Sequence, residues 1–134
     1  MTAYVKALIA FLRTIKYNGT ALDVYQAGRV PSSAAFPYLT ATIAQGDMFT
    51  TTFQTVLLWC KIGTGGASAA DTQRAAILDT IRNLVPYQGY RLNYDGGIAM
   101  IYRNPADFTS YYDDPEDNTV IGARISLMIT HYEE

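Results

Sequence analysis

The run Thr50–Ile62, T-T-T-F-Q-T-V-L-L-W-C-K-I, constrains the fold more than any other stretch of this chain. As a β-strand it turns Phe53, Thr55, Leu57 and Trp59 one way and Val56, Leu58, Cys60 and Ile62 the other. Both faces are therefore apolar. A strand of that kind is either central and covered twice, or covered once by its own helix and once by a neighbouring subunit.

The flanking segments supply the rest of a layered domain. Residues 2–16 form an amphipathic helix, with Tyr4, Leu8, Phe11, Leu12 and Ile15 on one stripe, Thr2 as N-cap and Asn18-Gly19 as the stop. Leu22–Gln26 is a short strand, followed by a turn at Gly28–Pro31. Phe36–Ala44 is a strand bounded by Gln45-Gly46-Asp47, with Pro37 near its start, where a missing donor is tolerated. A second helix runs from about Ala69 to Leu84, burying Ala76, Ile77, Ile81, Leu84 and Val85, and Pro86 and Gly89 end it. Tyr90–Tyr94 and Ile98–Arg103 pair through Asp95-Gly96-Gly97. A polar loop spans Asn104–Asn118. Thr119–Tyr132 closes the chain as a half-buried strand, with Ile121, Ala123, Ile125, Leu127 and Ile129 inside and Gly122, Arg124, Ser126, Met128 and Thr130 outside. The order helix, three strands, helix, three strands predicts an α+β fold, a mainly antiparallel sheet with two helices packed on one face. Residues 1–134 read as a single domain of ordinary size.

Between the central strand and the second helix lies K-I-G-T-G-G-A-S-A-A-D, Lys61–Asp71, which has the outline of a phosphate-binding loop. Its spacing excludes that. Lys61 precedes the glycines instead of ending the loop, and the sixth position of G-x-G-x-x-G is Ser68. The expected reading is a turn whose glycines supply positive φ, followed by a Ser68–Asp71 capping box.

Catalytic chemistry has few candidates. His131, the single histidine, shares the parity of the apolar face and is expected to be half-buried at a strand end. Cys60, the single cysteine, lies mid-strand with no nearby cation to lower its pKa, so it reads as a packed thiol. Asp113, Asp114, Glu116 and Asp117 offer carboxylates to a hard cation but lack the calcium-loop glycine and the bidentate glutamate at its twelfth position. No cofactor is expected, and no catalytic or metal-ligating residue is assigned. The net charge of −2 and sequence pI near 5.3 give no footprint for specific nucleic-acid binding. No apolar stretch is long enough for a membrane span, and Lys6 and Arg13 break the apolar run a secretory leader requires. Charged residues make up 16% of the chain and tyrosines number 11, a surface poor in ions and suited to contact with other chains.

The order of segments resembles the tail terminator, or tail-completion, proteins of long-tailed bacteriophages and related neck components. The resemblance rests on K-A-L-I-A-F-L in the first helix, R-V-P-S-S-A-A-F-P-Y-L-T at Arg29–Thr40 and F-Q-T-V-L-L-W-C at Phe53–Cys60. It continues in D-T-Q-R-A-A-I-L-D-T-I-R-N-L at Asp71–Leu84 and I-G-A-R-I-S-L-M-I at Ile121–Ile129. It implies a non-enzymatic virion protein, made in the host cytoplasm, forming a ring usually of six subunits. Such a ring caps the head-proximal end of the tail tube and joins it to the head connector or head-completion protein. DNA would pass through the lumen without being held, and head-to-tail contacts would close on themselves. The residues expected at the subunit or partner interface are Phe53, Val56, Phe108, Tyr111, Tyr112, Asp113 and Asp114. Another phage structural protein (head-completion, minor capsid or tube protein) is the alternative, and a small metal- or ligand-binding domain is a further one.

Overall fold

A computed structural model of the chain describes residues 2–43 and 51–133. The predicted Gln45-Gly46-Asp47 boundary, Ala44 and Thr50 lie outside the described residues. The elements are α1 (Ala3–Leu12), β1 (Lys16–Tyr17), β2 (Thr20–Ala21), β3 (Asp23–Gln26), β4 (Tyr38–Ala41), β5 (Thr51–Lys61), α2 (Gly66–Leu84), β6 (Tyr90–Tyr94), β7 (Gly97–Arg103), β8 (Thr109–Asp113) and β9 (Val120–Glu133). The fold is α+β. Seven strands make a curled, mainly antiparallel sheet in the order β3-β4-β5-β9-β7-β6, with β8 beside β9, and both helices lie on one face. Among the described residues only β3 and β4 pair in parallel.

The long pair β5–β9 is the spine, in register from Thr51 opposite Thr130 to Lys61 opposite Val120. Its helix-side parity carries Val56, Leu58 and Cys60 from β5 and Ile121 through Ile129 from β9, all buried. The α1 stripe packs there as the periodicity requires, with Tyr4, Leu8, Phe11, Leu12 and Ile15 all buried. Thr2 caps α1, its hydroxyl accepting from the Val5 N–H at 3.2 Å. The helix is shorter than predicted. It stops at Leu12, and Asn18-Gly19 is instead the tight turn of the β1–β2 hairpin, both residues having positive φ. That is the chemistry of a two-residue hairpin loop, which looks like a helix stop in a sequence.

Helix α2 begins three residues earlier than predicted, and the Ser68–Asp71 capping box does not form. Gly65 is the N-cap and makes no side-chain capping bond, while Asp71 pairs with Arg74 at 2.9 Å. Of the three loop glycines only Gly66 has positive φ, at +80°, closing a turn in which its N–H reaches the Gly63 carbonyl. Gly66→Ala is therefore expected to cost about 1–2 kcal/mol in urea denaturation, the penalty of a side chain in the left-handed region. Gly66→Asn should lose less. Equal stability of wild type and Gly66→Ala would refute this account of the turn. On the buried side of α2, Ile77 and Ile81 lie as expected, joined by Ala70, Leu78 and Arg74. Ala76 is exposed.

The largest departure is β8. The predicted loop Asn104–Asn118 contains a strand, whose Thr109–Asp113 pair with Ile125–Ile121 of β9. It continues the line of β7 along the same side of β9. Between them residues 104–108 arch out over Ser126, whose carbonyl accepts from the Asn104 N–H and whose N–H donates to the Phe108 carbonyl. Thr109, Ser110, Tyr111, Tyr112 and Asp113 give no alternation of apolar and polar residues, so only the pairing with β9 reveals this strand.

Candidate functional site

The helices cover one face of the sheet and leave the other open. Cross-strand register defines that open face row by row. Phe53 stands opposite Met128, which stands opposite Tyr102. Leu57 stands opposite Arg124, and Trp59 opposite Gly122, which faces Tyr112 on β8. Phe53 is 64% exposed, and Leu57, Trp59, Tyr102 and Met128 are half-buried by their neighbours alone. The Trp59 indole donates to Thr40 Oγ1 at 3.0 Å, and its ring meets the Tyr112 ring edge-on at 5.6 Å. A polar row, Thr55 opposite Ser126, runs between the Phe53–Met128–Tyr102 group and the Leu57–Trp59–Tyr112 group, and Arg124 stands beside Leu57; Thr51, Thr55 and Arg124 are all exposed.

The seven residues expected at an interface do not form one patch. Phe53 and Tyr112 belong to the open face. Val56, three residues from Phe53 and of opposite parity, is 1% exposed in the core, so its place among interface residues is corrected. Tyr111 and Asp113 lie on the helix side of β8. The Tyr111 ring stacks on the Arg74 guanidinium at 3.8 Å, and Asp113 accepts from Arg74 at 3.3 Å. Arg74 also donates to the Gly122 carbonyl at 3.0 Å and is itself buried, so it pins β8 and β9 to α2. Phe108 belongs to a third place. A cavity of about 700 Å³ opens where β7 ends and β8 begins, lined by Arg82, Tyr87, Tyr102, Arg103, Phe108 and Met128 among others. Arg103 spans it between the rings of Tyr87 and Phe108 and donates to the Val85 and Arg82 carbonyls, which closes the end of α2.

Asp114 sits in the β8–β9 turn, accepting from the Glu116 N–H at 2.9 Å. Burial first, and then the Asp114 charge, pushes the Tyr38 phenol above its ordinary pKa. Asp117 accepts from the hydroxyl and N–H of Thr119, which hold its carboxyl below the usual range, and it pairs with Lys61 at 3.7 Å. The carboxylates thus turn to separate partners. Among the described residues no three His, Cys, Asp or Glu side chains converge as a metal site requires. Lys61 points to Asp117 and the Phe36 ring. Cys60 is buried, and burial pushes its thiol up to about 11 against a smaller opposing pull from Arg74.

His131 lies beneath α1, more buried than the sequence implied, its ring edge-on to Tyr4 at 4.6 Å and its Nε2 3.4 Å from Thr52 Oγ1. Burial lowers its pKa. A group with a depressed folded pKa is protonated first in the unfolded chain, so its contribution is present above the ordinary histidine value and lost as pH falls below it. The melting temperature should drop between about pH 7 and pH 5, and His131→Leu should flatten that part of the profile. An unchanged slope in the variant would assign the acid sensitivity to other groups.

Comparison with protein-family models, with curated proteins and with solved structures finds no match.

Proposed function

We propose that this chain is a structural subunit of a bacteriophage tail. It assembles into a ring, six subunits by the resemblance of its segment order to tail terminators, that caps the tube's head-proximal end and meets the head connector. One observation carries the reading. A sheet covered by helices on one side presents Phe53, Leu57, Trp59, Tyr102, Met128 and Tyr112 on the other. Aromatic and aliphatic side chains carried on strands and interspersed with Thr55, Ser126 and Arg124 suit an assembly contact, in which apolar anchors sit among polar groups. In this reading the open face is covered in the virion by the tail tube or the head connector, while DNA passes through a lumen that does not bind it.

The test is direct observation of the concentrated wild-type protein by negative-stain electron microscopy and native mass spectrometry. Closed rings of one stoichiometry are expected. A chain that stays monomeric across a concentration series, and also when mixed with uncapped tail tubes, would sink the proposal.

A further inference from the structure

Among the described residues the sheet has three outer edges. That of β6 carries Arg91, and its Tyr90 and Tyr94 side chains pack against Phe11 and Tyr4 of α1. The edges of β3 (D-V-Y-Q) and β8 (T-S-Y-Y-D) contain no lysine, arginine or proline, and no strand pairs with their outer sides among the described residues. Edges left without such guards are templates for another strand.

These two edges face opposite ways across one row of five strands. The pairings Asp23–Tyr38, Tyr38–Trp59, Trp59–Gly122 and Gly122–Tyr112 run straight from β3 to β8, a span of roughly 19 Å at the usual strand spacing. Their directions are also opposed. β8 is antiparallel to β9 and β9 to β5, so β8 runs with β5. β4 is antiparallel to β5, and β3 is parallel to β4, so β3 runs against β8.

We infer that β8 of one subunit adds to β3 of the next as an antiparallel pair, so that copies related by rotation about an axis along the strands join their sheets into one closed wall. The inference rests on the ring reading above and names its junction. Geometry favours this pairing over β8 meeting a second β8, because β8–β3 joining repeats from copy to copy and leaves neither edge bare, whereas β8–β8 joining stops at a dimer with both β3 edges exposed. Charge does not choose between them: Asp23 on β3 stands in the same row as Tyr112, next to Asp113 and Asp114, and Asp113 already pairs with Arg74. Each junction removes one β8 and one β3 edge from solvent, and contacts of this head-to-tail kind form a ring where the rotation between copies closes.

The backbone supplies the test. The Phe108 carbonyl and Asp114 N–H turn inward to β9, so by the alternation of the ladder Thr109, Tyr111 and Asp113 turn theirs outward. On β3 the Ala27 N–H turns inward to β4, which leaves those of Val24 and Gln26 outward. Tyr111→Pro and Gln26→Pro each delete one outward donor without cutting an internal pair. Under conditions where wild type forms rings, each variant alone should be monomeric with a wild-type circular dichroism spectrum. An equimolar mixture should stop at a dimer, because one β8 and one β3 edge remain intact. Tyr111→Ala, which keeps the N–H, should still associate. Hydrogen exchange of the wild-type Tyr111 and Gln26 amides, which needs no variant, should slow on assembly. Rings from both proline variants, or unprotected amides in the ring, would overturn the junction and leave the ring reading standing. Dimers from Gln26→Pro alone would show β8 meeting β8 and overturn it too. A wild type that forms no ring overturns the ring reading, and this junction with it.

Discussion

Val56→Glu should abolish folding, while Phe53→Glu should leave the melting temperature within a few degrees of wild type. The two residues sit three apart on β5 and point to opposite faces. Val56 lies opposite Ile125 among Phe11, Leu12, Ile15, Ile81, Leu84, Val85 and Leu127. No cation or hydrogen-bond donor in that set can meet a carboxylate there. Burying it unpaired, or holding it protonated, together with the lost valine packing costs on the order of 4–5 kcal/mol or more. The whole stability of a domain this size is about 5–15 kcal/mol. Phe53 is 64% exposed, so a carboxylate there stays hydrated and the change is worth about 0.5–1 kcal/mol at most. Circular dichroism and urea titration of both variants decide the matter. Similar destabilisation of the two would mean that the open face is covered within the subunit.

Among the described glycines, Gly122→Ala should be the most damaging exchange of a hydrogen for a methyl group. A Cβ at this position would lie 2.5 Å from the Leu58 carbonyl oxygen and 2.8 Å from that of Tyr112, with the Trp59 ring at 3.2 Å. Both oxygens are backbone, on β5 and β8, so no rotamer change relieves the contact. The strands must part on one side or the other. β5 is locked to β9 by a long ladder, whereas β8 holds only five pairs, so β8 should give way. Its retreat would also strain the Arg74 bonds to Asp113 and to the Gly122 carbonyl. A cost of about 3 kcal/mol is expected, seen as a lower urea midpoint together with faster exchange of the β8 amides. Full stability would mean that β8 is not held against Gly122 as described.

Much of this architecture was legible in the residues because local pattern and tertiary role agree there. The α1 stripe, the parity of β5 and β9 and the Asp95-Gly96 hairpin each follow from a period or a turn that needs no distant partner. The rest depends on distance. Which face of β5 is core could not be read, since both are apolar, and only the docking of α1 and α2 on the Val56 side decides it. β8 was hidden among acids and tyrosines because its partner comes eight residues later and its own five residues do not alternate. Arg74 reads as a solvated helix residue until Asp113, Tyr111 and the Gly122 carbonyl converge on it. The capping box at Ser68 was a correct motif in the wrong place, superseded by a glycine turn that starts α2 three residues earlier. Of the expected interface residues, Phe53 and Tyr112 share the open face, joined by Leu57, Trp59, Tyr102 and Met128. The alternation of β9 already pointed to Met128, and the others needed the cross-strand register.

The account turns on whether the open face of the sheet is covered when the chain assembles. Hydroxyl-radical footprinting read by mass spectrometry at Phe53, Trp59 and Met128, on monomer and on rings seated on tail tubes, measures this residue by residue. Protection of Phe53 and Met128 on assembly is the expected result, with buried Val56 and Leu58 unlabelled in both states. Equal labelling of Phe53 and Met128 in the monomer and in the assembly would contradict it.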